Sequence, residues 1–153
     1  MKKLVLFFDG TSNKFGDRNT NVIKALRIIG HENFATCYIP GVGSMKNKKY
    51  YFAATRIFKK MLGLAFGYGL QERVLEGYKF LSNNYEEGDQ IFIFGFSRGA
   101  YTAKVMLGLI HRCGLMDKSN EYNMQYAYDL YTRRKPQFDI IAKFKKTFSK
   151  YSP

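Results

Sequence analysis

Tryptophan is absent from the chain, cysteine is limited to Cys37 and Cys113, and histidine to His31 and His111. Two distant cysteines outside any CxxC pair exclude a disulfide framework and a thiolate zinc site. They fit a reducing compartment. Acidic residues are scarce: 12 Asp and Glu stand against 25 Lys and Arg, for a net charge of +13. Such an excess favours phosphate-bearing partners, on nucleic acid or on an anionic membrane surface, and is silent on fold. No run approaches the roughly 18 apolar residues of a membrane span. The start imitates a signal peptide, but its apolar run, Leu4–Phe8, ends at Asp9. A signal core needs roughly 7–15 residues. This predicts synthesis in the cytoplasm without a leader. The three prolines mark no domain boundary, and no repeat or low-complexity segment is visible.

What is present suffices for a core. The chain has 153 residues, 46% of them hydrophobic, which fits one domain over 1–153 and not two. Residues 3–8 read as a strand buried on both faces. Turn residues from Asp9 to Asn13 break it. Thr20 or Asn21 caps a helix whose Val22, Ile23, Leu26 and Ile29 share a face, with Gly30 as its stop. Phe34–Ile39 reads as a second strand, halted by Pro40-Gly41-Val42-Gly43. A helix over 53–65 is expected to be interrupted by Gly63, Gly67 and Gly69, after which Leu70, Val74, Tyr78 and Leu81 recur at helical spacing. Gln90–Phe94 reads as the clearest buried strand. Residues 99–112 are helical, with Cys113-Gly114 as the stop. Two polar-faced helices follow. Tyr122, Tyr126 and Leu130 are expected to face the core from the first. Ile140, Ile141, Phe144 and Phe148 oppose Lys143, Lys146 and Lys150 on the second. The alternation predicts an α/β fold with a mostly parallel sheet and helices on both faces.

Gly95-Phe96-Ser97-Arg98-Gly99 fits G-x-S-x-G. An apolar strand before it and a helix after it give the strand–turn–helix setting of a nucleophile elbow. So sharp a turn needs small residues two positions either side of the serine, and Gly95 and Gly99 supply them. Ser97 would stand at the helix N-terminus, where the dipole and the Arg98 N–H can stabilise an oxyanion. The plainer alternative is a glycine-rich connection with a capping serine. The loop at Asp9-Gly10 is the candidate for a second oxyanion donor. Gly10 permits close backbone approach. Asp9 either orients loop N–H groups or sits beside the nucleophile, or, as an Asx turn, merely ends the strand.

Other signals are weaker. Asp9-Gly10-Thr11 resembles the acyl-phosphate phosphatase motif, but the second aspartate that chemistry needs is replaced by Phe7 and Thr11. Gly67-Tyr68-Gly69 lacks the strand and third glycine of a dinucleotide loop, so no cofactor is expected. The basic, aromatic loop at Lys46–Tyr51 reads as a solvated segment. No nucleic-acid motif accompanies the charge, and no nucleic-acid partner is expected. The acid and base of a serine hydrolase should follow the serine. His111 lies near the end of the elbow helix, roughly 20 Å from Ser97 at 1.5 Å per residue. Asp117, Glu121, Asp129 and Asp139 follow no recognisable strand. No complete triad is legible.

Phe8-Asp9-Gly10-Thr11-x-Asn13, Tyr38-Ile39-Pro40-Gly41-Val42-Gly43 and Gly88–Ala103 occur in that order. Together they resemble the catalytic domain of type VI secretion phospholipase effectors of the first lipase family, over essentially the whole chain. Gly95-Phe96-Ser97-Arg98-Gly99-Ala100-Tyr101-Thr102-Ala103 is the most specific stretch; the family usually has Arg where Lys104 stands. The resemblance implies an α/β-hydrolase-like fold, phospholipid ester substrates and Ser97 as nucleophile. It further implies export by a type VI system and a secretion-spike or immunity protein as partner. Phe144–Ser149 resembles the segment before a family strand ending in Trp-Asp-Thr-Val, which has no counterpart before Pro153. The expectation is a C-terminally truncated hydrolase domain. The competing expectation is an inactive, hydrolase-derived module that binds anionic lipid or a protein.

Overall fold

The computed structural model describes residues 1–10, 20–29, 34–41, 54–118 and 120–153, of which 54–68 are described as helix backbone only. The loop at Lys46–Tyr51, His31, Gly30, Val42, Gly43 and Thr11–Asn13 lie outside the described residues. The elements run β1 (Lys3–Phe8), α1 (Asn21–Ile28), β2 (Phe34–Ile39), α2 (Ala54–Asn84), β3 (Gln90–Gly95) and α3 (Arg98–Cys113). Then come β4 (Leu115–Met116), α4 (Glu121–Thr132), α5 (Phe138–Phe148) and β5 (Ser149–Tyr151). The fold is α/β.

The main sheet has the order β2-β1-β3, all parallel. β1 is central and buried over Leu4–Phe8, as its unbroken apolar run requires. Leu4, Leu6 and Phe8 face a large core built with Val74, Tyr78 and Leu81 of α2 and Met106 and Leu109 of α3. Val5 and Phe7 face the opposite way, against Val22 of α1, with Leu26 and Ile29 partly buried beside them. Helices therefore cover both faces. Thr20 caps α1, its hydroxyl accepting the Ile23 N–H at 3.3 Å. Long-range hydrogen bonds tie α2 in place. Arg73 donates to the Pro40 carbonyl at the end of β2 (2.6 Å), and the buried Tyr78 hydroxyl donates to Gly114 O (2.6 Å).

Four readings of the sequence are corrected. First, Gly63, Gly67 and Gly69 do not interrupt α2, which runs unbroken for 31 residues. A helical glycine costs only about 1 kcal/mol relative to alanine, so packing along the rest of the helix overrides it. Second, β3 is an edge strand. Phe92 is 41% and Phe94 44% exposed, because α1 covers only the β1–β2 side of their face. Third, of the α4 aromatics expected in the core, Tyr122 is 83% exposed and Tyr126 39%, whereas Met124, Ala127, Tyr128 and Leu130 are buried. Fourth, of the apolar face of α5 only Ile141 and Phe144 are buried, while Ile140 and Phe148 sit at its margin, about two-fifths exposed. The antiparallel β4–β5 pair was not anticipated, since strands this short carry no periodicity. Among the described residues, no helix is long and apolar enough to cross a membrane.

Candidate active site

β3 ends at Gly95 and α3 begins at Arg98, leaving Phe96 and Ser97 to make the turn. Ser97 has φ 54° and ψ −122°, and among the described residues it is the sole non-glycine at positive φ. A side chain held there carries backbone strain of order 1–3 kcal/mol, which persists only where surrounding structure enforces it. The enforcement is visible. Phe96 N–H donates to Phe8 O, Gly99 N–H to Phe96 O and Ala100 N–H to Ser97 O, all within 3.0 Å. Both glycines are sterically required. A Cβ on Gly95 would stand 2.5 Å from Gly99 O, and one on Gly99 would fall against the Phe8 carbonyl group, 2.6 Å from its carbon. The turn is thus wedged between β1 and its own helix.

Ser97 is exposed, and its hydroxyl makes no capping hydrogen bond. A serine present only to cap α3 would accept an N–H from the first turn. Arg98 is the first helical residue, so its N–H has no intrahelical acceptor and points out of the helix end.

Asp9 lies beside this turn. Its backbone oxygen is 2.8 Å from the position a Gly99 Cβ would take. The residue is 3% exposed, and among the described residues its carboxylate accepts from Gly10 N–H (2.7 Å), Thr20 Oγ1 (2.8 Å) and Tyr38 OH (2.9 Å). Asp9 therefore ties the end of β1 to Thr20 at the start of α1 and to Tyr38 of β2, and Gly10 N–H is turned toward its carboxylate. Burial and the Asp9 carboxylate together hold the Tyr38 hydroxyl protonated, raising its pKa above the ordinary tyrosine value. Sequence reasoning missed Tyr38. Its signal was positional: Tyr38 pairs in register with Phe7, at the same end of the sheet as Asp9.

The remaining candidates lie apart from Ser97. His111 is in the last turn of α3, so the 1.5 Å rise puts it roughly 20 Å away. Asp117 pairs with Lys150 (3.8 Å), Glu121 with Lys79, and Asp129 accepts from Gln125. Asp139 starts α5. Burial pushes the Cys37 and Cys113 thiols up to about 11, so neither is a thiolate nucleophile at neutral pH. Among the described residues, no cluster of His, Cys, Asp and Glu could hold a metal ion.

These features define a parallel α/β protein whose third strand delivers an uncapped serine to a helix N-terminus through a strained turn. The chain belongs to the family described as T6SS, phospholipase effector Tle1-like, catalytic domain, whose model matches residues 2–151. It is also 33% identical over 168 residues to "Uncharacterized protein YEL023C" of Saccharomyces cerevisiae. That match covers 97% of this chain and 24% of the relative's own length. No solved structure matches the chain.

Proposed function

We propose that this chain carries the nucleophile of a serine ester hydrolase of phospholipase type. The observation that carries this reading is Ser97: strained, exposed, uncapped and seated at a helix N-terminus in a chain of the Tle1-like catalytic-domain family. In the proposed reaction Ser97 Oγ attacks the acyl carbonyl and loses its proton to a base. The carbonyl oxygen becomes an oxyanion held by Arg98 N–H, while Gly10 N–H stays with the Asp9 carboxylate. Gly95 and Gly99 keep the turn narrow, and Asp9 fixes the loop. The alcohol leaves with a proton from the base, and water then releases the acid from the acyl-serine. Among the described residues no histidine stands within reach of Ser97, so the base comes from elsewhere. By family membership, a secretion-spike or immunity protein is a candidate partner.

The reading is tested by incubating the 153-residue chain with an alkyl fluorophosphonate and imidazole as external base. Ser97 is expected to be labelled ahead of the other serines, and Ser97→Ala to remove the label. Uniform labelling of surface serines sinks the reading. Without added base, ester turnover is expected to stay near background, since losing the base leaves only residual catalysis, roughly 10³–10⁴ over water.

A second reading, docking on anionic lipid, rests on a local charge asymmetry. Between Arg133 and Lys150 lie seven basic residues (Arg133, Arg134, Lys135, Lys143, Lys145, Lys146, Lys150) and one acid, Asp139. Exposed Phe138, Ile140 and Phe148 stand among them. Lysines near an anionic surface contribute about 1 kcal/mol each. Sedimentation with phosphatidylserine vesicles is expected to show binding that weakens with salt and is indifferent to Ser97→Ala. Salt-independent or absent binding counts against it.

A further inference from the structure

A groove of about 380 Å³ runs along α3 beneath α4 and α5. Its α3 wall is a single stripe of Tyr101, Val105 and Arg112, whose spacings of four and seven put them on one helix face. Leu70 of α2, Tyr131 of α4 and Ile141 of α5 supply the other walls. Gly108 lets Tyr131 lie flat on the helix, since a Cβ there would stand 2.6 Å from the ring carbon Cζ. The walls are mostly hydrocarbon and aromatic ring, with Thr132 and tyrosine residues adding polar surface and one permanent charge among them. That charge is Arg112, whose guanidinium lies over the Phe138 ring at 4.7 Å. Among the described residues it has no carboxylate partner.

The dimensions narrow the ligand. Eleven residues separate Tyr101 from Arg112, about 16 Å along the helix at 1.5 Å per residue. An acyl chain in one leaflet spans about 15 Å, half the thickness of a hydrocarbon core. A mostly apolar slot of that length with a guanidinium at one end matches a single alkyl chain with an anionic head. We propose that the groove binds a long-chain fatty acid, its carboxylate on Arg112 and its chain running toward Tyr101, one helical turn from Ser97. The choice of a carboxylate over a phosphate head rests on the Ser97 reading, because acyl hydrolysis releases a fatty acid. The groove's shape and charge do not depend on it.

The test is binding to the purified 153-residue chain by calorimetry, with the lipid below its micelle concentration. Palmitate is expected to bind. Octanoate should bind roughly a hundredfold more weakly or worse, having lost many buried methylenes. Hexadecanol should bind about tenfold more weakly than palmitate, for want of one charge-assisted hydrogen bond. Arg112→Ala should lower palmitate binding to the hexadecanol level and leave hexadecanol unchanged. Val105→Trp should fill the slot and abolish both. If that buried substitution fails to fold, the exposed Arg112 position carries the test. Ser97→Ala should bind palmitate as wild type does, so the groove and the nucleophile can fail separately. No palmitate binding, equal binding of octanoate, or an Arg112→Ala chain that binds palmitate normally would each overturn the proposal. So would tighter binding of palmitoyl lysophosphatidic acid than of palmitate.

Discussion

Gly99→Ala is expected to lower the melting temperature by roughly 6–12 °C, at about 2–4 °C per kcal/mol for a domain of this size. The added Cβ would land on the Phe8 carbonyl group, which is backbone of the central strand and cannot rotate aside. Either α3 lifts from β1 or the turn opens, at a cost of about 3 kcal/mol or more. That is a large share of the roughly 5–15 kcal/mol by which such domains are stable. Gly88→Ala is the control. Gly88 has positive φ, +89°, unlike the helical Gly99, and nothing lies within 4 Å of its added Cβ. It should cost only about 1 kcal/mol, the left-handed penalty alone. Thermal melts followed by circular dichroism separate the two. Equal shifts would mean that the methyl group added at Gly99 is accommodated without displacing β1.

Asp9→Ala is expected to be comparably damaging. It removes the acceptor of three hydrogen bonds and strands the Gly10 N–H in a buried position. Each stranded donor costs about 1–3 kcal/mol, less where water reaches the Thr20 and Tyr38 hydroxyls, so a total of about 3 kcal/mol is expected. Asp9→Asn should be much milder. Its amide oxygen can still accept from Gly10 N–H, and its NH₂ can donate to either hydroxyl, each of which accepts as well as donates. Denaturant unfolding of both variants checks this. An alanine variant as stable as the asparagine variant would show that the loop after β1 does not depend on these bonds.

Much of this architecture is legible in the sequence because its signals are local. An unbroken apolar run marks β1, Thr20 marks the start of α1, and glycines two residues either side of Ser97 mark a turn with no room for side chains. Features set by which elements cover which face are not legible. Phe92 and Phe94 look like core residues in a strand of this composition, and only the position of β3 at the end of the sheet exposes them. Tyr122 and Tyr126 have helical spacing, but Tyr122 stands in solvent and Tyr126 packs on Phe144 of α5 at the margin of the core. The partnership of Asp9 with Tyr38 spans 29 residues and exists only once β1 and β2 are in register. Conversely, the strain at Ser97 was readable as motif grammar before any torsion was known.

The position of β3 has a bearing on how the polypeptide behaves in a test tube. Among the described residues only β1 pairs with it, and two exposed phenyl rings stand along it; an edge strand offers its outer N–H and C=O groups as an open ladder. Such a ladder is a template for sticking to another copy, and natural sheets commonly guard it with an inward-pointing charge or a proline. Within Gln90–Gly95 there is neither. The shared charge of +13 sets a long-range repulsion between copies, which fades as ions shorten its reach to about 10 Å at 0.1 M. Solubility of this chain is therefore expected to depend on electrostatics more than on local shielding of that edge, with dilute buffer as its gatekeeper.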